Sequence, residues 1–343
     1  MGLSAGRITN FPGEMSRELR QRIFRIEETK AFDELALDIF RFQAINNCIY
    51  KEYISALGIT PASVKSTEEI PFLPVTFFKD HKVLTGTEHA EVVFESSGTT
   101  GKTTSRHYLS DLSIYDESFT RGFIHFYGEP SDYFFAALLP TYSERENSSL
   151  IYMMNKLIAY SHNQESGFFN SDPLKLIKTL GKVKAEGKKE ILLGVSFALL
   201  DLAEKYSPDL SGIIVIETGG MKGRRKEITR HELHSVLKTR FNVESIHSEY
   251  GMTELLSQSW SKGGGLFYCP PWMKVVIRDP QDPLTVFCKP GRTGGINIID
   301  LANINSCSFL SVNDLGKLHE DGGFEVLGRF DGSDTRGCNL LIE

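Results

Sequence analysis

Between residues 133 and 247 the chain alternates short apolar runs of strand length with stretches of helical period, and few folds accept that order. The apolar runs cover 133–139, 191–195, 213–217 and 243–247. Helical stretches cover 149–160, 197–206 and 226–241, and Asp172-Pro173 reads as the cap and first turn of one more. Strands alternating with helices predict a parallel sheet covered by helices, because each crossover has to pack its apolar stripe back onto the sheet.

The flanks differ from this middle. Residues 1–60 are expected to be helical, with Leu35, Ile39, Phe42, Ile45 and Ile49 on one helix face and Gly58 as the stop. Two prolines in Pro71-Phe72-Leu73-Pro74 forbid a regular helix there, so the aromatics that surround them are expected in the core. From about residue 274 the runs shorten to 274–277, 285–288, 295–299 and 324–327, and turn residues fill the gaps. A small antiparallel sheet or barrel-like subdomain fits those runs better than further strand–helix units.

A chain of 343 residues with 41% hydrophobic content can bury a large core. Its 38 basic and 44 acidic residues leave a net charge of −6, which argues against nucleic acid or an anionic membrane as principal partner. The cluster Lys222, Arg224, Arg225 and Lys226 reads as a solvated helix start. No uninterrupted apolar stretch reaches the ~18 residues of a membrane span, and the first residues lack the apolar core of a signal peptide. A cytoplasmic chain is the expectation. Cys48, Cys269, Cys288, Cys307 and Cys338 are dispersed, with no Cys-x-x-Cys pair, which predicts reduced thiols.

The stretch Glu95-Ser-Ser-Gly-Thr-Thr-Gly-Lys-Thr-Thr-Ser-Arg-His-Tyr108 is built to grip an anion. Gly98 and Gly101 allow close backbone approach, Ser96, Ser97, Thr99 and Thr100 supply donors, and Lys102 and Arg106 supply positive charge. Val92-Val93-Phe94 just before it reads as a buried strand, so the loop is expected at a strand's carboxyl end, where α/β sheets bind ligands. The P-loop pattern G-x-x-x-x-G-K-[ST] would need glycine where this chain has Ser96, so a P-loop kinase is set aside. On composition alone, a mobile polar surface loop stays open as the alternative.

Two further stretches turn this loop into part of a constellation: Ser248-Glu249-Tyr250-Gly251-Met252-Thr253-Glu254, and Asn313-Asp314-Leu315-Gly316 followed by Asp321-Gly322-Gly323-Phe324 and Gly328-Arg329-Phe330-Asp331. In this order and spacing the three resemble the adenylate-forming superfamily of acyl-CoA synthetases, nonribosomal adenylation domains and firefly luciferase. Within it the chain most resembles the acyl-protein synthetases of the bacterial bioluminescence fatty-acid reductase system, with phenylacetate-CoA ligases more distant. Leu139-Pro140-Thr141-Tyr142-Ser143-Glu144-Arg145, Thr218-Gly219-Gly220-Met221-Lys222-Gly223, the run 249–258 and Pro270-Pro271-Trp272-Met273-Lys274-Val275 carry that closer likeness.

The resemblance implies an α/β fold of the adenylate-forming large-domain type, with helix-covered, mostly parallel sheets and a small β-rich subdomain. It divides the chain into a helical segment 1–85, an ATP-binding core 86–270, a β-rich subdomain 271–330 and a hinge-like tail 331–343. It implies that Ser96, Ser97, Gly98, Thr99, Thr100, Gly101 and Lys102 hold the ATP phosphates and that Gly219 and Gly220 lie against the adenine. Tyr250, with Gly251 and Thr253 beside it, would flank the base, and Glu254 would hold Mg²⁺. Asp314 would accept the ribose hydroxyls and Arg329 would reinforce ribose or phosphate. The turn-aspartate and surface-cation readings of Asp314 and Arg329 are the alternatives.

The implied reaction is ATP-dependent activation of a carboxylic acid, pointing to a fatty acid, as its acyl adenylate, followed by transfer to a protein thiol. On this resemblance the carboxyl-terminal lid and its lysine, usual in the superfamily beyond a hinge at Asp331, are expected to be absent or vestigial. Cys338 follows Arg336-Gly337, and the resemblance makes it the candidate nucleophile; a partner protein would accept or donate the acyl group. A CoA ligase of the phenylacetate type and a non-catalytic nucleotide- or acyl-binding relative are the competing readings. His107 and His247 could border the nucleotide or the acid, whereas His231 and His234 are expected on a helix surface.

Overall fold

The computed structural model describes residues 12–86, 89–96, 104–140, 147–170, 172–185, 188–219, 228–287 and 290–330. Its centre is the sheet that the alternation predicts. The strands Gly167–Phe168, Tyr133–Leu138, Lys189–Val195, Ile214–Thr218 and His247–Tyr250 lie side by side in that order and run parallel, and Ser259–Ser261 closes the edge antiparallel. The helices Ser149–Tyr160, Pro173–Ala185, Ser196–Tyr206 and Arg230–Phe241 make the crossings.

Local chemistry sets where these helices begin and end. Asp172 Oδ1 accepts from Lys175 N at 2.9 Å ahead of Pro173, whose missing N–H costs nothing in a first turn. Thr229 and Glu232 form a reciprocal capping box at 3.2 and 2.8 Å. Asn242, at φ 54°, ends that helix in the left-handed region. The next strand is therefore His247–Tyr250 rather than the expected 243–247, because 243–246 are needed to bring the chain back to the sheet.

Both faces of the parallel sheet are buried, so its strands read as continuous apolar runs. Phe134, Ala136, Leu138, Leu192 and Val215 pack against Leu176, Leu180, Leu199, Leu233 and Leu237 of the crossing helices. On the other face Phe135, Ala137, Ile191, Leu193 and Ile216 join a larger core with Tyr115, Phe119 and Met154 and with a second sheet.

The second sheet is ordered Leu266–Phe267, Phe324–Arg329, Phe309–Leu318, Thr293–Asp300, Met273–Arg278, Val286–Phe287, with every one of these neighbours antiparallel. The proline-rich passage supplies one further strand, Leu73–Pro74, parallel to Phe309–Leu318. Phe72 and Phe78 are buried there, as expected. Trp260 and Tyr268 exchange backbone hydrogen bonds at 3.0 and 2.9 Å and stitch the two sheets together.

Three expectations change. The amino-terminal apolar stripe does not run through one helix: Thr29–Asn46 stops, and Asn47 leaves the helix at φ −107°, ψ 110° to cap Cys48–Ala56. Leu35, Ile39 and Phe42 are buried, but Ile45 is 64% exposed because it falls off their face of the helix, and Ile49 belongs to the next helix. Val92–Glu95 is not a strand of the parallel sheet; it pairs antiparallel with Arg106–Leu109 as a two-stranded hairpin, with only Phe94 of the apolar run buried. The longest strand, Phe309–Leu318, carries the Asn-Asp-Leu-Gly stretch, so Asp314 sits within a strand and not in a turn.

Among the described residues Cys48, Cys269 and Cys307 are free thiols. No helix among them is long and apolar enough to cross a membrane.

Candidate active site

The carboxyl ends of the parallel strands at Val195, Thr218 and Tyr250 lie on one sheet edge, and most of the described polar residues singled out in the sequence gather along it. The hairpin brings in the two ends of the glycine- and hydroxyl-rich stretch 95–108. Ser96 N donates to Ser105 O at 3.0 Å and Ser105 N donates to Ser96 Oγ at 2.9 Å, which closes the neck of the loop. Ser97, Gly98, Thr99, Thr100, Gly101 and Lys102 lie outside the described residues, as do Gly220, Cys338 and the basic cluster 222–226.

Glu254 faces this neck. It is 7% exposed, and burial pushes its carboxyl above the ordinary range, opposed by a hydrogen bond from Ser105 and by the charges of Lys79 and Arg329. Its loop leaves the strand His247–Tyr250 and is pinned from beneath. Asp300, fully buried at the end of Thr293–Asp300, accepts from Leu256 N at 2.8 Å, Ser257 N at 3.0 Å and Ser257 Oγ at 2.6 Å. Asn303 Nδ2 donates to Glu254 O at 2.8 Å, and His107 Nδ1 stands 2.8 Å from Thr253 O.

Across from Glu254, Tyr250 donates its hydroxyl to Asp314 Oδ2 at 2.8 Å, and Arg329 Nε lies 3.5 Å from Asp314 Oδ1. Asp314 and Arg329 are cross-strand partners. The Tyr250 ring is 8% exposed, between Phe267 and Phe324, and burial together with the Asp314 charge holds its hydroxyl well above the usual range. A Cβ at Gly251 would press on Glu249 Oε1, the end of a side chain held by Thr218. Glu249 itself is buried and accepts from Thr218 Oγ1.

Gly219 turns the chain at φ 66°, with its carbonyl accepting from Ser196 Oγ at 2.6 Å. Beside it Glu217 is buried against Arg230 Nε at 3.2 Å, Ser196 Oγ at 3.2 Å and His234 Nε2 at 3.4 Å. His234 is therefore not the surface residue expected; it is buried because a crossing helix turns it onto this carboxylate, while His231 is exposed. Burial lowers His247 to about 4, with Lys262 adding to the shift, and its Nδ1 stands 3.2 Å from the Tyr127 hydroxyl. Burial also lowers His107 to about 4.

Asp300, Asn303 and Glu217 carry no motif, and their signal is burial, which a single sequence does not display; Arg230 shows itself only through its pairing with Glu217. Among the described residues no group of three or more His, Cys, Asp or Glu could hold a metal. A lone buried carboxylate like Glu254 suits a hard cation that keeps water and phosphate oxygens as its other ligands.

The family described as acyl-protein synthetase, LuxE, covers residues 22–343. The chain belongs to it. Among solved structures, 2-hydroxyisobutyryl-CoA ligase in an open conformation, in complex with 2-HIB-AMP and CoA, is similar at 13% identity and a TM-score of 0.65, covering 91% of this chain and 78% of that chain. The same ligase in the postadenylation state in complex with 2-HIB-AMP gives 14% identity and a TM-score of 0.66, over 91% of this chain and 70% of that one. That likeness is one of fold, the large domain of adenylate-forming ligases. No curated protein matches the chain. As a member of the acyl-protein synthetase family the chain is an AMP-forming ligase: it activates a carboxylic acid as the acyl adenylate and then transfers the acyl group.

Proposed function

We propose that this chain activates a fatty acid with Mg²⁺-ATP at the sheet edge around Glu254 and passes the acyl group to the Cys338 thiol, and from there to or from a partner protein. The observation that carries the reading is the meeting of separated segments: His107 of the hairpin stands 2.8 Å from Thr253 O and Asn303 donates to Glu254 O at 2.8 Å, while Tyr250 donates to Asp314, which pairs with Arg329.

In this reading the amides and hydroxyls of 96–101 and the Lys102 ammonium oppose the phosphates. Glu254 holds the Mg²⁺, whose chemistry is to neutralise phosphate charge. Asp314 accepts from the ribose, oriented by Tyr250 and Arg329, and Gly219 and Gly220 leave room for the base. The acid's carboxylate oxygen attacks the α-phosphorus, a new P–O bond forms, and the bond to the bridging oxygen breaks to release pyrophosphate. The Cys338 sulfur then attacks the acyl carbon as thiolate, its proton having gone to solvent, and the carbon–oxygen bond to AMP breaks.

The test is acid-dependent ATP–pyrophosphate exchange across a panel of chain lengths, with labelled acid followed on the protein. Expected are exchange with long-chain acids and a protein-bound label released by hydroxylamine. Cys338→Ser should abolish the stable label and keep the exchange. Undiminished label in that variant would refute the role of Cys338, and absence of exchange with every acid while ATP still binds would refute activation.

A further inference from the structure

The reaction as written leaves one fully buried ionisable side chain beside the site without a task. His107 lies on the second hairpin strand, Arg106–Leu109, and is 0% exposed. Its Nδ1 stands 2.8 Å from Thr253 O and its Nε2 3.0 Å from Asn303 Oδ1, while the Asn303 amide donates to Glu254 O at 2.8 Å. The Phe78 ring meets the imidazole edge-on at 5.4 Å between centroids and fixes its plane. All the polar contacts of this ring therefore end on the backbone of Thr253 and Glu254, one directly and one through Asn303.

Ser105 makes the other half of the arrangement. Residues i and i+2 of an extended segment face the same side. Ser105 and His107 accordingly face the same side, and His107 holds the backbone next to Glu254. Ser105 N also closes the neck of the anion-gripping loop by its bond to Ser96 Oγ at 2.9 Å. Ser105 at the start of this strand thus sets the neck, and His107 on it holds the backbone of the loop that carries Glu254. Asn303 is held in turn: Gln43 Nε2 donates to Asn303 O at 3.1 Å, and Gln43 is itself fully buried.

We propose that His107, acting with Asn303, is a positioning residue for adenylation: it keeps the loop that carries Glu254 in register with the hairpin strand Arg106–Leu109. This rests on the nucleotide site proposed above. It touches no reacting atom, so its loss should show in the use of Mg²⁺-ATP and not in recognition of the acid.

The experiment compares the full-length chain with His107→Ala, His107→Asn and His107→Gln in acid-dependent pyrophosphate exchange, titrating ATP, Mg²⁺ and acid separately. Tyr50→Phe is the packing control, since Tyr50 is equally buried and its hydroxyl donates only to Pro71 O at 2.6 Å. Losing the one hydrogen bond that the neutral imidazole can donate here should raise the KM for Mg²⁺-ATP about fivefold in His107→Ala. The acid KM should stay within about twofold, and His107→Asn, which keeps a donor near the Nδ1 position, should recover most of the loss. Should His107→Ala fail to fold, the Asn and Gln variants decide by the same titrations. Mg²⁺ and ATP dependence equal to that of Tyr50→Phe would overturn the proposal. Glu254→Gln separates the two layers: unchanged Mg²⁺ dependence there would refute the site itself, whereas a large effect there with none in the His107 variants refutes the positioning role alone.

Discussion

Removing the Asp300 carboxylate tests how the loop bearing Glu254 is held. Asp300 is fully buried, and Oδ2 accepts from the backbone amides of Leu256 and Ser257 while Oδ1 accepts from the Ser257 hydroxyl. In Asp300→Ala two buried amides lose their acceptor, at about 1–3 kcal/mol each, and a small cavity adds to that. The sum is about 4 kcal/mol, a large part of the roughly 5–15 kcal/mol that holds a domain folded. Asp300→Asn should behave differently. Its amide oxygen can serve both backbone amides while its NH₂ donates to Ser257 Oγ, which already accepts from Trp272 Nε1 at 3.0 Å, so the loss is confined to charge assistance, about 1 kcal/mol. Urea unfolding followed by tryptophan fluorescence reads this directly, because both tryptophans are buried and Trp272 belongs to the network. Pyrophosphate exchange should fall with the same ranking. Equal stability of the Ala and Asn variants would refute the reasoning, since acceptor geometry would then not be what Asp300 supplies.

Three further outcomes follow from named contacts. Tyr250→Phe removes the donor on Asp314 and should raise the ATP KM about fivefold with kcat little changed, in steady-state exchange; an unaltered KM would separate the hydroxyl from the ribose site. Gly251→Ala forces a Cβ onto the buried Glu249 carboxylate and should cost about 1–3 kcal/mol in urea unfolding, together with weaker ATP use; wild-type stability would show that Glu249 yields freely. His247 has its pKa lowered from 6.5 to about 4, so the stability it contributes is complete above pH 6.5 and lost as pH falls towards 4. That loss is about 2 kcal/mol once partial exposure is allowed for, and His247→Gln should flatten this part of the stability–pH curve.

Much of the architecture was open to reading along the chain, because it depends on neighbours. The strands Tyr133–Leu138, Lys189–Val195 and Ile214–Thr218 announce themselves as apolar runs, being buried on both faces. The capped helices at Pro173 and Arg230 announce their starts through side chains only a turn away. The glycines and hydroxyl residues of the stretch 95–108 are likewise close in sequence, and so is the run from Tyr250 to Glu254.

Contacts between distant segments decided the rest. Asn313, Asp314 and Gly316 have the composition of a turn, yet pairing with Thr293–Asp300 on one side and Phe324–Arg329 on the other draws them into a strand, with register shifts in both pairings. The apolar period through Ile45 suggests one continuous face, but Asn47 finds better partners in Thr85 Oγ1 and Ser306 O, at 3.0 and 2.8 Å, and the helix breaks there. His234 is buried for a carboxylate 17 positions upstream, and His107 for a carbonyl 146 positions downstream. Periodicity and capping are written in side chains a few positions apart and survive in the sequence. The pinning of Glu254 by Asp300, Asn303 and His107 comes from free energy gained only when buried polar groups from remote segments find one another, and that pairing exists only in the folded chain.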